Sequence, residues 1–461
     1  MAHVVIIGAG MSGMSLAWYL KALREDWRIS VIEAHGRAGG KAWTETRDGF
    51  VIERGVNGVL DNKPFTLELA KELGLSPMRS RDAARKRFIV RSGRLMDLPD
   101  SPRSFLSSGC LSPAGKLRLL AEPFIPQGDL EKDESLEDFA VRRLGREAYQ
   151  YLIDPMASGV HAGNPQRLSL KSCFPRIHEL ERDYGSLIRA MLKLQAEARK
   201  KRRKGPSAGP GGVLTSFRNG ISELADRLAC ALGDSLVLGC PVEEVEFRDG
   251  SWHIGLENGE CMEDVSHVVV ACPAHAAARL FRSSIPELAK PCASIEYPPI
   301  AVVAFGISAN SVSSDLNGFG FLAPFVGKRG VLGALWDSSV FDNRAPAGYH
   351  LVRCLIGGMR NRHCLEQTDS SLKDIAYREL KSLCGFNRPP EFSAVFRWKR
   401  AIPQYNVGHA ALLERLKMVV DRLPGLFIRC NWAGGVSLND CIMNSRRLAG
   451  QIASGEVISG F

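Results

Sequence analysis

No Cys-x-x-Cys pair occurs among the twelve cysteines, whose neighbours stand ten or more positions apart. That spacing excludes the common zinc-ribbon and dithiol redox motifs. Cys230, Cys272 and Cys354 sit in apolar contexts, where a free thiol packs as a small hydrophobe. A reducing compartment, the cytoplasm, is the expected setting. Long hydrophobic runs are missing too. Past the N-terminal residues, the longest uncharged stretch is Pro298–Ser314, whose prolines, serines and Asn310 do not suit a membrane span. Residues 1–20 also lack Asp, Glu, Lys and Arg. They have no basic n-region and no small-residue cleavage site, and three glycines interrupt them at fixed spacing, so a signal peptide is not expected. No internal repeat, Ser-His-Asp set or metal cluster stands out, and no metal is assigned.

What is present is ordinary globular composition: 461 residues, 45% apolar and 24% charged. The length suggests roughly two or three domains. Sixty Lys and Arg against fifty Asp and Glu leave a net charge of +10. Such a charge attracts anions, membrane headgroups or nucleic acid. The cations are mostly scattered, with one dense run at Lys200–Lys204, so a nucleic-acid partner is not expected.

The N-terminal segment carries a motif with a mechanism. Val4-Val5-Ile6-Ile7 reads as a buried parallel strand. Gly8-x-Gly10-x-x-Gly13 follows, with Ser12 inside it; Met14–Leu23 then reads as a helix and Arg28–Ile32 as a second strand ending at Glu33. This is the dinucleotide-binding arrangement. Gly8 allows the tight turn, Gly10 lets backbone approach a pyrophosphate, and Gly13 lets helix and strand pack closely. The helix N-terminus supports phosphate charge, and Glu33 can accept ribose hydroxyls.

Glu33-Ala34-His35-Gly36-Arg37-Ala38-Gly39-Gly40-Lys41 resembles the E-x-x-x-R-x-G-G-[KR] extension of FAD-dependent amine oxidases, phytoene desaturases and protoporphyrinogen oxidases. FAD is therefore the expected cofactor, in preference to NAD. The resemblance implies cofactor contacts at Ala34, Arg37, Gly39, Gly40 and Lys41, and at Val56, Asn57 and Gly58. It also implies contacts at Val242, beside the adenine, and at Trp398. Gly425–Ile428 reads as a strand leading to Asn431-Trp432-Ala433-Gly434-Gly435-Val436-Ser437. There a Gly-Gly turn before a helix places N–H groups and a dipole suited to charge on a reduced flavin. Gly435, Val436 and Ser437 are the candidates.

The middle of the chain is similar to the oxygen-dependent protoporphyrinogen oxidases and their coproporphyrinogen-oxidising relatives. The blocks are Asp154–Asn164, Leu168-Ser169-Leu170, Glu179–Ile188, Gly318–Pro324, Ser338–Pro346 and Tyr405-x-x-Gly408-His409. Departures are Gly55-Val56-Asn57 for a usual Gly-Pro-Asn, Asn431-Trp432-Ala433 for a usual Asn-Tyr-Tyr, and Trp336 for a usual Phe. The resemblance implies oxidation of protoporphyrinogen IX by six electrons in three two-electron steps. The flavin N5 accepts hydride and O2 is the acceptor, giving H2O2. The alternatives are coproporphyrinogen III as substrate, an amine oxidase or carotenoid desaturase, or a flavin-binding membrane scaffold without turnover. No side chain is assigned as catalytic. Arg87 is the candidate for a propionate; Gly159, Ala162, Leu322 and Trp336 are the candidates around the macrocycle. Each could instead serve only structure, Arg87 as a solvated strand end and Leu322 as core.

The implied architecture is α/β: a Rossmann-type FAD-binding domain of the p-hydroxybenzoate hydroxylase and amine oxidase kind, a mixed-sheet substrate domain, and a helical domain. The division is 1–85 for the first FAD-binding part and 86–211 for the helical domain. Then come 212–285 for the second FAD-binding part, 286–395 for the substrate domain and 396–461 for the third FAD-binding part. Within 86–211, Leu136, Phe139, Ala140, Leu144 and Ala148 follow helical spacing, with Asp133 or Ser135 as caps, and Tyr184–Lys200 is amphipathic. The basic run Lys200–Lys204 reads either as a solvated loop or as a contact with anionic lipid. The resemblance implies peripheral attachment to the cytoplasmic face of a membrane, and a monomer or homodimer.

Overall fold

The computed structural model describes residues 2–200 and 212–455. Most of the Lys200–Lys204 run and the loop after it lie outside the described residues. Five parallel strands form the first sheet, in the order Leu236–Val237, Arg28–Ile32, His3–Ile7, His267–Val270 and Leu426–Ile428. Strand His3–Ile7 is buried throughout, as its unbroken apolar run requires. Val4 and Ile6 face one core, under helices Met11–Leu23, Ser222–Leu232 and Leu438–Ser454. Val5 and Ile7 face the other, under the antiparallel meander Val242–Arg248, Ser251–Leu256 and Cys261–Val265. This alternation is the period-two geometry of a strand buried on both faces.

The second large sheet has seven strands, ordered Phe392–Trp398, Ile300–Ser308, Tyr349–Gly357, Gly333–Leu335, Gly320–Leu322, Phe88–Arg91 and Arg94–Asp97. Only the Gly320–Leu322 and Phe88–Arg91 pair is parallel; the others run antiparallel. In Ile300–Ser308, Ala301, Val303, Phe305 and Ile307 enter one core while Ile300, Val302 and Ala304 enter another. The uncharged run at 298–314 is thus a central strand.

The hairpin Phe88–Asp97 lies inside the segment expected to be helical, yet it extends the seven-stranded sheet. Phe392–Trp398 likewise crosses the expected boundary at 396. A propensity reading sees the length of such short strands but not their distant partners. The helices of 86–211 are Pro102–Ser107, Pro113–Leu120, Leu136–Leu144, Asp154–His161, Pro175–Tyr184 and Leu187–Lys200, with shorter turns between. Ser135 caps Leu136–Leu144 by accepting from Asp138 N. No helix of the described residues is long and apolar enough to cross a membrane.

Candidate active site

The three glycines of the motif do three different jobs at the carboxyl end of His3–Ile7. Gly8 has φ +114°, and a Cβ there would lie 3.0 Å from Ala271 backbone. A Cβ on Gly13 would lie 2.1 Å from Gly8 O, so helix Met11–Leu23 and the turn touch through bare backbone. A Cβ on Gly10 would meet nothing within 4 Å, leaving that face open. Gly10 caps the helix without any side-chain hydrogen bond, and the first turn holds no acid. An uncapped helix N-terminus beside open space suits a phosphate. Ser12 is buried, and its carbonyl accepts from Ser445 Oγ at 2.8 Å, tying this helix to Leu438–Ser454.

Glu33 Oε2 accepts from Ala9 N at 2.9 Å; Oε1 accepts from His35 N at 3.0 Å. These bonds orient the carboxylate and leave lone pairs free for a ribose. Ala34 is exposed in the following turn. Gly39, at φ +96°, bridges to Gly10, and a Cβ on Gly40 would lie 3.2 Å from Gly10 Cα. Arg37, expected to contact the cofactor, is turned onto the neighbouring backbone. It donates to Ala38 O and Gly40 O and stacks 4.1 Å over Trp43, so it braces the glycine turn.

Lys41, Gly55 and Trp398 converge. Lys41 Nζ lies 4.2 Å over Trp398 and donates to Arg400 O at 2.6 Å; burial lowers its pKa to about 8. Trp398 Nε1 donates to Arg54 O at 2.6 Å. Val56 packs against the core under helix Met11–Leu23, and Gly58 abuts Thr215, where a Cβ would lie 2.6 Å from the carbonyl oxygen. Asn57 Oδ1 accepts from Arg353 Nη2 at 2.8 Å, while Asn57 Nδ2 and Arg54 Nε are buried without a partner. Two unpartnered buried donors on one segment await an acceptor. Val242 pairs with Leu256 and packs beside the parallel sheet.

Gly434 and Gly435 have φ +89° and +118°. Gly435 N donates to Tyr405 OH at 3.1 Å. Ser437 caps helix Leu438–Ser454 by accepting from Asp440 N at 3.1 Å. This helix end also carries an acid: Asp440 sits in the first turn and pairs with Lys63 at 2.6 Å. Val436, half-buried, lies between turn and cap. Together, the open Gly10 face, the bare helix end, the held Glu33 and the unpartnered Asn57 and Arg54 donors fit FAD.

Of the macrocycle candidates, Gly159 and Leu322 are in contact: a Cβ on Gly159 would lie 2.6 Å from Leu322 Cδ2. Ala162 adopts the left-handed conformation at the end of helix Asp154–His161, and its carbonyl accepts from Met359 N at 2.8 Å. With Ser158, Pro324, Phe325 and Arg360 it lines a surface cleft. Arg87 lies on the same sheet as Leu322, at the foot of strand Phe88–Arg91, which pairs with Gly320–Leu322. Arg87 is exposed, its guanidinium carbon 5.5 Å from the Phe319 ring, and partial desolvation there lowers its pKa. No acidic side chain pairs with it among the described residues. Trp336 differs from the expectation. It is 2% exposed, packed 5.1 Å from Phe88 within the core of the seven-stranded sheet.

Several groups here carry no motif. Arg353 and Asp337 form a buried ion pair at 2.6 Å, and Arg353 also donates to Glu53 O. Glu53 is buried, 3.7 Å from Arg344, and desolvation raises its pKa to about 7. Arg429, buried below Gly434, donates to Ala433 O. His161 and His409, assigned no role, are both pushed down to about 4 by burial and are neutral at pH 7.

The family pattern described as flavin containing amine oxidoreductase matches residues 11–453. The chain belongs to the flavin-containing amine oxidoreductase family. It is 29% identical over 454 residues to the coproporphyrinogen III oxidase of Bacillus subtilis, covering 95% of each chain. It is 31% identical to the chloroplastic protoporphyrinogen oxidase of Nicotiana tabacum, covering 97% of this chain and 85% of that one. A crystal structure from Exiguobacterium sp. 255-15 with a provisional protoporphyrinogen oxidase name superposes with TM-score 0.84 at 24% identity, covering 99% of both. The expected fold is the fold of this family, and the cofactor is FAD.

Proposed function

We propose that the protein oxidises protoporphyrinogen IX to protoporphyrin IX, removing six electrons in three two-electron steps. The observation that carries this reading is the full-length relationship to porphyrinogen oxidases. The apolar Gly159–Leu322 contact and the acid-free cation Arg87 support it. When bound, FAD would take up one electron pair in each of the three steps, as hydride from a methylene carbon of the macrocycle, the accompanying proton passing to solvent. The chain holds and orients. Arg87 receives a propionate in a charge-assisted hydrogen bond. Leu322 and Gly159 present an apolar surface to the macrocycle, and the small Gly159 keeps room beside it. Asn57, held by Arg353, offers Nδ2 to the cofactor. Residues 1–85, 212–285 and the chain after Trp398 build the cofactor half. The 286–395 segment, extended by the 88–97 hairpin, carries the substrate. Oxygen is the terminal acceptor, each O2 leaving as H2O2.

The Bacillus relative favours a second reading, coproporphyrinogen III as substrate. Its four propionates call for more unpaired cations than Arg87 alone. Arg360 and Arg329, which line the cleft with Ala162, are already paired with Asp154 at 2.6 Å and Glu379 at 2.7 Å, which supports the two-propionate substrate. Peripheral membrane contact is part of the proposal. Leu106, Leu117, Leu120, Phe124 and Leu192 are exposed in the helical segment, Phe124 at 82%. The helix carrying Leu192 packs against the turn carrying Phe124.

The test is anaerobic addition of either porphyrinogen to the flavin-loaded protein, followed by air and porphyrin fluorescence. Faster protoporphyrin formation is expected. Preference for coproporphyrinogen III moves the assignment to the second reading. No enzyme-dependent fluorescence from either removes both.

A further inference from the structure

We propose that the outer face of the meander Val242–Arg248, Ser251–Leu256 and Cys261–Val265 is a Zn2+ site formed by His253, Cys261 and Glu263. The imidazole, thiol and carboxylate ligand atoms of these residues all lie within 4.8 Å of one another. A tetrahedral zinc with bonds of about 2.0–2.3 Å needs ligand atoms roughly 3.4–3.7 Å apart. Binding would draw the ligand atoms together by up to about 1.4 Å.

Trp252 and Ile254, which flank His253, are fully buried on the inner face, as is Val265 at the end of the third strand, and a register shift between Trp252 and Ile254 falls beside the ligands. Trp252 Nε1 is further held by Pro424 O at 2.8 Å. Cys261 is opposite Gly255, whose lack of a side chain leaves space next to the thiol. On the other flank, Glu246 is the direct cross-strand partner of His253 and shares its face. The fourth position of a tetrahedral site is left to water. Ser251 Oγ, 3.2 Å from His253 Nε2, orients the ring from outside the ligand set.

The donor set selects the metal class. One nitrogen, one sulfur and carboxylate oxygen suit a borderline cation such as Zn2+, whereas Mg2+ and Ca2+ take oxygen alone. Arg248 opposes binding: its Nη2 is 3.4 Å from His253 Nδ1, and it lies 3.9 Å from Glu246. Bound zinc would displace it and staple strand Cys261–Val265 to the middle strand Ser251–Leu256. None of the three ligands is among the residues assigned to FAD, although Val242 opens the first strand of the same meander, so zinc binding is read separately from flavin content and turnover.

The experiment is equilibrium dialysis of the flavin-loaded protein against Zn2+ at neutral pH, with metal content read by atomic emission. About one zinc per chain is expected. Cys261→Ser and His253→Ala should each weaken it by at least roughly tenfold. Cys230→Ser, which removes another exposed thiol, should leave it unchanged. Arg248→Ala should tighten it. In parallel, zinc should slow alkylation of the Cys261 peptide and not of the Cys230 peptide. Flavin content checks that each variant is folded. Absence of binding, or a stoichiometry and affinity that survive Cys261→Ser, overturns the proposal.

Discussion

Replacing Glu53 by Gln isolates one titrating group at the junction of the two large sheets. Glu53 is 1% exposed. Desolvation raises its pKa from 4.5 to about 7, against the opposing effects of Thr44, Arg344, Arg353 and the Ile221 N–H. A carboxyl whose pKa is raised by folding holds its proton more tightly in the folded chain. Its contribution is therefore fully present below about pH 4.5 and is lost as the pH climbs through about 7. Each unit of offset is worth about 1.4 kcal/mol, so the group carries about 3 kcal/mol across that window. Unfolding entropy near 2 cal/mol/K per residue converts this, for a chain of 461 residues, to about 3 °C in Tm. Gln keeps the shape: its oxygen accepts from Ile221 N and its amide donates to the Thr44 hydroxyl, but nothing titrates. The assay is thermal unfolding of both proteins from pH 4.5 to 7.5. The Tm advantage of the native chain over Glu53→Gln should shrink by about 3 °C over that range. An offset that stays flat with pH would refute the assignment of a raised pKa to this carboxyl.

Three further substitutions probe the site. Gly13→Ala places a Cβ 2.1 Å from Gly8 O, a backbone atom that cannot rotate away, so the purified variant should carry little flavin, read as flavin absorbance per chain. Gly159→Ala meets only Leu322 Cδ2, the far end of a flexible side chain. That variant should keep its flavin and lose turnover, and the added Leu322→Ala should restore room and part of the rate. Arg87→Ala should raise KM roughly tenfold to a hundredfold, the worth of a hydrogen bond to a charged group, with flavin content kept. An unchanged KM would remove Arg87 from the pocket.

Much of the cofactor half was legible because its signals are local. The Gly8–Gly13 turn, the helix after it and Glu33 lie within one unit of chain, and each residue type answers to a backbone or hydrogen-bond requirement met by its near neighbours. The final Gly-Gly turn was readable for the same reason. Arg37 shows the limit of that reading. Its place in the motif was visible, but its choice of Ala38 and Gly40 carbonyls depends on how the turn closes. Trp336 shows another. An aromatic on a strand next to a binding block suits a ligand face or a core face equally, and only the packing of Phe88 against it selects the core.

The sequence by itself determined the buried parallel strand, the phosphate turn and the presence of a flavin frame, since these rest on contacts within about one helix-and-strand unit; it left Asp133 and Ser135 both open as caps of Leu136–Leu144, and the fold chose Ser135. Tertiary structure alone decided what distant segments do to each other. The 88–97 hairpin became sheet because Gly320–Leu322 offered it an edge. Glu53 acquired a high pKa because strands 300 residues apart shut water out and brought Arg344 and Arg353 only partly to its aid. His253, Cys261 and Glu263 became neighbours because antiparallel register, set by the buried face, aligned their side chains on the exposed one. Desolvation and register are properties of the folded surface, and neither is written in the spacing of any single motif.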